Sequence, residues 1–268
     1  MGLPIVLLTG PAGSGKDTVA AMMAEGSGVI ISLADPLKRY ARDVLGFSEE
    51  ALWGPSSARN TPDPRPSEEI IAYAKTKTLM ERGWLGQVGL LQMCGEEAYI
   101  ALQRWKARCV FGVEGITART VLQTLGTELG RNLYQDVWIN YGKVVARTLL
   151  GGGYTYDKYR GLLNNNGAHP PALVVIPDGR FANEVTAVKE VGGRIVRIES
   201  STSLSGEAAA HASETEMNSI PRSWYDCVLI NKKEYGVESL RRAVDSVATK
   251  LLPECGVHTM FPYWEPNR

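Results

Sequence analysis

The sequence predicts an α/β protein whose parallel strands alternate with helices. Three observations predict it. First, Leu3 to Thr9 is a short apolar run rich in branched residues, the pattern of a strand buried on both faces. Second, Gly10-Pro11-Ala12-Gly13-Ser14-Gly15-Lys16-Asp17-Thr18 follows directly, and Val19 to Met23 after it reads as a helix. Strand, glycine-rich turn and helix in that order are the context of a P-loop. Third, further apolar runs at Gly28–Leu33, Ala172–Ile176, Arg194–Ile198 and Cys227–Ile230 are separated by helical stretches. Such alternation gives a parallel sheet with right-handed crossovers. The expected architecture is a three-layer α/β/α P-loop NTPase fold with a five-stranded parallel sheet and a mainly helical insertion. Ligands of such sheets bind at the carboxyl ends of the strands.

The loop carries its own chemistry. Glycines let the backbone curl so that successive N–H groups point at phosphate oxygens, and the helix amino terminus adds a partial positive charge. Gly13, Ser14, Gly15, Lys16, Asp17 and Thr18 are therefore the candidate ATP-binding residues, with Lys16 serving the outer phosphates. One position departs from the common form. Asp17 stands where a Ser or Thr ordinarily reaches Mg²⁺, and the hydroxyl comes one place later at Thr18. That shift leans toward small-molecule kinases and away from GTPases and motor ATPases.

Composition bounds the rest. The 268 residues carry 29 Lys+Arg and 29 Asp+Glu, so no global charge favours nucleic acid or a membrane surface. The apolar run after Met1 is too short for a signal peptide or a membrane span and lacks a basic segment before it. Cys94, Cys109, Cys227 and Cys255 lie far apart with no CxxC, and read as reduced, packed thiols of a cytoplasmic protein.

After the second strand, Asp35 is placed to cap a helix with Pro36 at its first position, and the helix runs to a stop at Gly46. Lys38 puts positive charge near the end of a core strand, while Arg39 and Arg42 read as a solvated face. Gly54 to Pro66 reads as an irregular loop, with Arg59 and Arg65 as surface arginines. Residues 47–115 as a whole look like a helical insertion that binds or covers an acceptor, between core segments 1–46 and 116–252; residues 253–268 form a tail suited to core packing or a homodimer contact.

Thr117 to Tyr134 reads as one helix. At about 100° per residue, Leu122, Leu125, Leu129 and Leu133 form an apolar stripe, and Arg119, Gln123, Thr127 and Arg131 a polar ridge beside Gly126 and Gly130. Two glycines in a helix mean that something approaches the backbone closely: a nucleotide, or a packed neighbour. Asp136 is placed to cap the next helix, Val137 to Leu150, with Trp138 near its start, and Gly151 to Pro171 reads as a flexible connector. The third strand ends in Pro177-Asp178-Gly179-Arg180. Asp178 is placed to handle Mg²⁺ or its waters, and Arg180 to clamp a phosphate. His211 reads as structural, because phosphoryl transfer needs no histidine.

Taken together, SGKDT (Ser14–Thr18), LADPLK (Leu33–Lys38), Arg119 with QTLGTELGR (Gln123–Arg131), Trp138, DGRFANE (Asp178–Glu184) and HASE (His211–Glu214) resemble the deoxynucleoside monophosphate kinases encoded mainly by tailed bacteriophages. The resemblance implies transfer of the ATP γ-phosphoryl group to a dNMP, with Mg²⁺, giving dNDP and ADP in the host cytoplasm. It implies that Ser14, Lys16, Asp17 and Thr18 hold the ATP phosphates and metal. It implies that Lys38, Arg119, Gln123, Gly126, Thr127, Arg131, Trp138, Asp178, Arg180 and Glu184 surround the monophosphate. On that footing Asp178 either serves the metal or orients the sugar or base. Lys16, Arg119, Arg131 and Arg180 are the catalytic candidates: the transferred group is negatively charged, and catalysis is largely alignment plus positive charge. A segment is expected to close over the site, either residues 202–216 or the insertion. The rival readings are a P-loop kinase for dephospho-coenzyme A or a sugar acid, and an ATP-binding protein without turnover.

Overall fold

The computed structural model describes residues 2–200 and 220–251. His211 and the rest of HASE, the lid candidate 202–216, Cys255 and the tail 253–268 lie outside the described residues. The chain divides into two compact units: one comprises Met1–Ser32, Val145–Tyr156 and the chain from Asn164 onward, the other Leu33–Val144 with Asp157–Leu163. This division falls at Leu33 instead of Phe47, so the LADPLK helix and the Thr117–Tyr134 segment cluster with the helical residues 47–115 and not with the sheet.

The first unit is built on a five-stranded parallel sheet: β1 (Ile5–Thr9), β2 (Gly28–Ile30), β5 (Leu173–Gly179), β6 (Arg194–Ser200) and β7 (Cys227–Asn231), in the order β2-β5-β1-β6-β7. The strands are those read from the sequence, with ends moved by a few residues. Every residue of β1 is buried, which is why the run shows no polar alternation. Val6 and Leu8 pack with Val19 and Met23 of α1 (Lys16–Ala24) and with Leu240 and Val244 of α12 (Gly236–Leu251). Strand alternation sends Ile5 and Leu7 to the opposite face, the side on which α11 (Ala182–Glu190) lies against β1 and β6. Helix, sheet and helix are the three layers expected.

Gly151 to Pro171 is a correction. It contains a two-stranded sheet, β3 (Tyr154–Asp157) with β4 (Gly161–Asn164). The turn is an Asx turn, with the Asp157 Oδ1 accepting from the N–H groups of Tyr159 and Arg160. Among so many Gly and Asn residues the strand signal is only a few residues long.

The second unit is helical: α2 (Asp35–Asp43), α3 (Glu49–Trp53), α4 (Ser56–Asn60), α5 (Ser67–Lys75), α6 (Thr78–Gln87), α7 (Leu90–Cys94), α8 (Glu96–Cys109), α9 (Ala118–Thr124) and the first half of α10 (Val137–Leu150). Its interior mixes aromatic rings with a buried polar network. Lys106 Nζ donates to Glu81 Oε1 at 2.5 Å, and Tyr40 Oη and Gln103 Nε2 donate to the same carboxylate. Burial, and after it the Glu81 charge, holds the Tyr40 phenol well above its ordinary pKa, so it remains a donor.

Several expectations for this unit change. Asp35 is inside α2, not its cap; it is buried and accepts a hydrogen bond from Trp53 Nε1. Arg39 is buried too, donating to Tyr141 Oη and the Lys158 carbonyl, and Arg42 pairs with Asp43 and donates to the Tyr159 carbonyl. Both arginines thus tie α2 to the β3–β4 turn instead of facing water. Gly54–Pro66 holds α4, and Arg65 makes a fork to both oxygens of Asp63.

Candidate functional site

In the first unit the site is made mostly of backbone. Thr9 ends β1, and the loop after it needs glycine three times: Gly10, Gly13 and Gly15 have φ of 146°, 73° and 97°, values that side chains disfavour. A Cβ on Gly10 would also lie 2.2 Å from the Ile198 carbonyl oxygen. Gly15 is the cap of α1, so the first N–H groups of that helix open toward the loop. Lys16 Nζ donates to the Gly10 and Pro11 carbonyls at 2.6 and 2.7 Å, curling back over the loop. Asp17 and Thr18 are exposed on the first turn.

Ser14 Oγ decides whether a phosphate suits this loop. Ser14 is wholly buried, yet its hydroxyl has no hydrogen-bond partner among the described residues. Such an orphan costs free energy unless an acceptor meets it. Curled backbone, helix terminus, lysine and unmet hydroxyl fit a phosphate chain. For Mg²⁺ the residues expected from the sequence, Asp17, Thr18 and Asp178, offer hard oxygens. Among the described residues no group of three or more His, Cys, Asp or Glu could hold a metal alone.

Asp178 stands at the end of β5, beside β1. Between paired positions, β1 advances from Leu7 to Thr9 while β5 advances from Ile176 to Gly179, so β5 carries one extra residue. The bulge falls at Pro177-Asp178 and re-aims the carboxylate. Ser32 Oγ donates to Asp178 Oδ2 at 2.6 Å and fixes it further. Arg180 is exposed two residues on. Glu184 is buried, and its Oε2 accepts from the backbone N–H groups of Arg180 and Phe181 at 2.7 and 3.0 Å. Its observed contacts cap α11 and fix the Arg180 backbone.

In the second unit the candidates are side chains on packed helices. Gly126 lies against Leu37 of α2, with 3.3 Å from its would-be Cβ to Leu37 Cδ1, and Lys38 is the next residue on that helix. The helix expected over Thr117–Tyr134 is regular only to Thr124; Leu125–Arg131 is a π-turn. The cause is Trp138, whose indole Nε1 donates to the Gly126 carbonyl at 2.9 Å. A side chain inserted into the backbone ladder widens it. Gly130 makes room: a Cβ there would fall 2.2 Å from Trp138 Cζ2. Of the two reasons for close approach, both glycines are thus used by packed neighbours, Leu37 and Trp138, and Trp138 itself is buried. Gln123 and Thr127 are exposed and Arg131 half-buried. Arg119 is exposed, and its Nε donates to Asn60 Oδ1 at the end of α4.

Asn60 and Asn231 were not singled out by sequence. Asn231 is buried at the end of β7, and its Nδ2 donates to the Ser14 carbonyl at 2.9 Å. Each is joined to its partner across 59 and 217 residues of chain, a pairing that no local pattern carries.

With this geometry in place, a parallel sheet whose first strand feeds a glycine-built phosphate loop fixes the class. The chain has the P-loop kinase fold. It is 29% identical over 233 residues to a protein of Acanthamoeba polyphaga mimivirus named "putative deoxynucleotide monophosphate kinase", covering 85% of this chain and 89% of that one. No protein-family model matches the chain. The fold and this relative's name support the same reading, a nucleotide-binding kinase. Among the described residues no helix is long and apolar enough to cross a membrane.

Proposed function

We propose that the protein is a deoxynucleoside monophosphate kinase, moving the γ-phosphoryl group of ATP to a dNMP and releasing dNDP and ADP. What supports this reading is that the helical unit carries Lys38, Arg119 and Arg131, on α2, α9 and the π-turn, in addition to the glycine-built loop of the sheet unit. A protein that only binds ATP has no use for a second anion site. The mimivirus relative's name supports the same reading.

In this reading Gly13, Ser14, Gly15 and Lys16 hold the donor phosphates, with Ser14 Oγ meeting a phosphate oxygen. Thr18 and Asp17, together with the phosphates, would hold Mg²⁺, which would supply charge neutralisation at the phosphoryl group. Asp178, fixed by Ser32, serves either the metal's waters or the acceptor's sugar or base. Lys16 leaves its loop carbonyls to accompany the migrating group. Arg119, Arg131 and Arg180 neutralise the acceptor phosphate and the transition state, while Lys38, Gln123 and Thr127 complete the acceptor contacts. Gly126, Trp138 and Glu184 act by holding these groups in place. No general base is required, because a monophosphate oxygen is anionic at neutral pH. Either residues 202–216 or the insertion 47–115 would be the segment that keeps water from the γ-phosphate.

The test is a coupled assay for ADP across all deoxy- and ribonucleoside monophosphates, with dephospho-coenzyme A and sugar acids as further acceptors. Turnover with at least one dNMP and little with the other classes is expected. ADP formed only with another acceptor, or with none, overturns the reading.

A further inference from the structure

Asn231 closes the last strand of the sheet, opposite Ser200 in β6, and is 7% exposed. Its side-chain amide lies against the phosphate loop: Nδ2 donates to the Ser14 carbonyl at 2.9 Å, and a Cβ on Gly15 would come within 2.5 Å of that same nitrogen. The contact therefore falls on one peptide unit, the one joining Ser14 to Gly15. A trans peptide is planar, with its carbonyl and N–H pointing in opposite directions. Fastening the carbonyl to the sheet on one side turns the Gly15 N–H to the other.

That orientation matters because Gly15 has no side chain to resist rotation. Its φ of 97° and ψ of 19° lie in the left-handed region, and it is the cap residue of α1, where N–H groups form the anion-binding end of a helix. Were the peptide to flip, a carbonyl oxygen would replace an N–H at the phosphate and repel it. Glycine permits both orientations, so something outside the loop must choose.

We infer that Asn231 is a positioning residue for donor-phosphate binding, locking the Ser14–Gly15 peptide with its N–H available to the anion. The inference rests on reading the loop as the ATP cradle. It predicts a defect confined to the donor nucleotide, although Asn231 is 217 residues from the loop in sequence.

The experiment is calorimetric titration of the full chain with ADP and Mg²⁺. Asn231→Asp keeps the side-chain volume but puts an acceptor where the donor was; its ADP affinity is expected to fall at least about tenfold, and that of Asn231→Ala a few-fold. The KM for the acceptor nucleotide should change little, while the nucleotide-free melting temperature should fall more for Asn231→Asp, which buries a carboxylate against a carbonyl oxygen, than for Asn231→Ala. Affinity within twofold of the parent in both variants overturns the inference and leaves the P-loop reading standing. A parent that binds no ADP overturns both. Should neither variant fold, the unaltered protein still decides. The Asn231 side-chain amide protons should be protected from exchange and shift when ADP is added; fast exchange and no shift would refute the role.

Discussion

The two units hold their candidate groups by different means. In the sheet unit, backbone does the work. Three glycines with positive φ, a helix terminus and a strand bulge aim N–H groups and Asp178, over an interior of Val, Leu and Ile. In the helical unit, side chains are aimed by other side chains. Arg119 rests on Asn60, and the π-turn is opened by Trp138; the interior around them carries a buried Lys106–Glu81 pair. A backbone-built cradle is compact in sequence and tolerant of its surroundings. A side-chain-built wall depends on distant residues and on the stability of the whole unit.

The largest expected effect is on the cradle. Lys16→Ala should lower kcat about a thousandfold or more, the scale of removing a charge from the transferring phosphoryl group, while far-UV circular dichroism stays that of the parent. Turnover near normal would break the comparison at its strongest point. The same difference governs what the sequence discloses. β1, the glycine-rich loop after it and β5 to β7 were legible because each is a run of neighbouring residues with one local cause. The buried roles of Arg39 and Asp35 were not, since Arg39 looks solvated and Asp35 looks like a helix cap until their partners, Tyr141 and Trp53, are brought beside them. The π-turn was equally hidden. Its glycines gave notice of a close approach, but only the fold says that an indole makes it.

Stability should separate the units next. Lys106→Ala leaves Glu81, 1% exposed, as an uncompensated buried charge, and should cost about 3–5 kcal/mol in chemical denaturation. A Lys106→Met, Glu81→Leu pair should recover most of it. If the single change costs no more than a surface substitution, the polar network is not what holds the helices.

Gly130→Ala sharpens the comparison on the acceptor side. The new methyl would meet Trp138, and overpacking of this kind costs about 1–3 kcal/mol. Acceptor KM should rise with it while ADP affinity is kept. Adding Trp138→Phe should relieve the clash, so a double-mutant cycle in melting temperature ought to show strong coupling. Asn60→Ala should act more weakly, raising acceptor KM a few-fold by freeing Arg119. No change in KM would mean that Arg119 is aimed without it.

The smallest effect concerns the thiols. Burial pushes the Cys109 and Cys227 pKa values up, so the thiolate fraction at neutral pH falls below that of a free cysteine. Iodoacetamide should modify both more slowly than glutathione at pH 7.5. The gap should narrow as pH rises, and faster labelling of either would contradict the assignment.

The π-turn has a consequence for sequence change over time. A helix carrying such a turn holds one residue more than a regular helix of the same rise, so length variation can be absorbed there without moving the flanking helices. Loss of one residue between Leu125 and Arg131 would straighten the segment and swing Arg131 around the axis relative to Arg119. Relatives that differ by a single deletion at this point should therefore share the scaffold and differ in how Arg131 is presented.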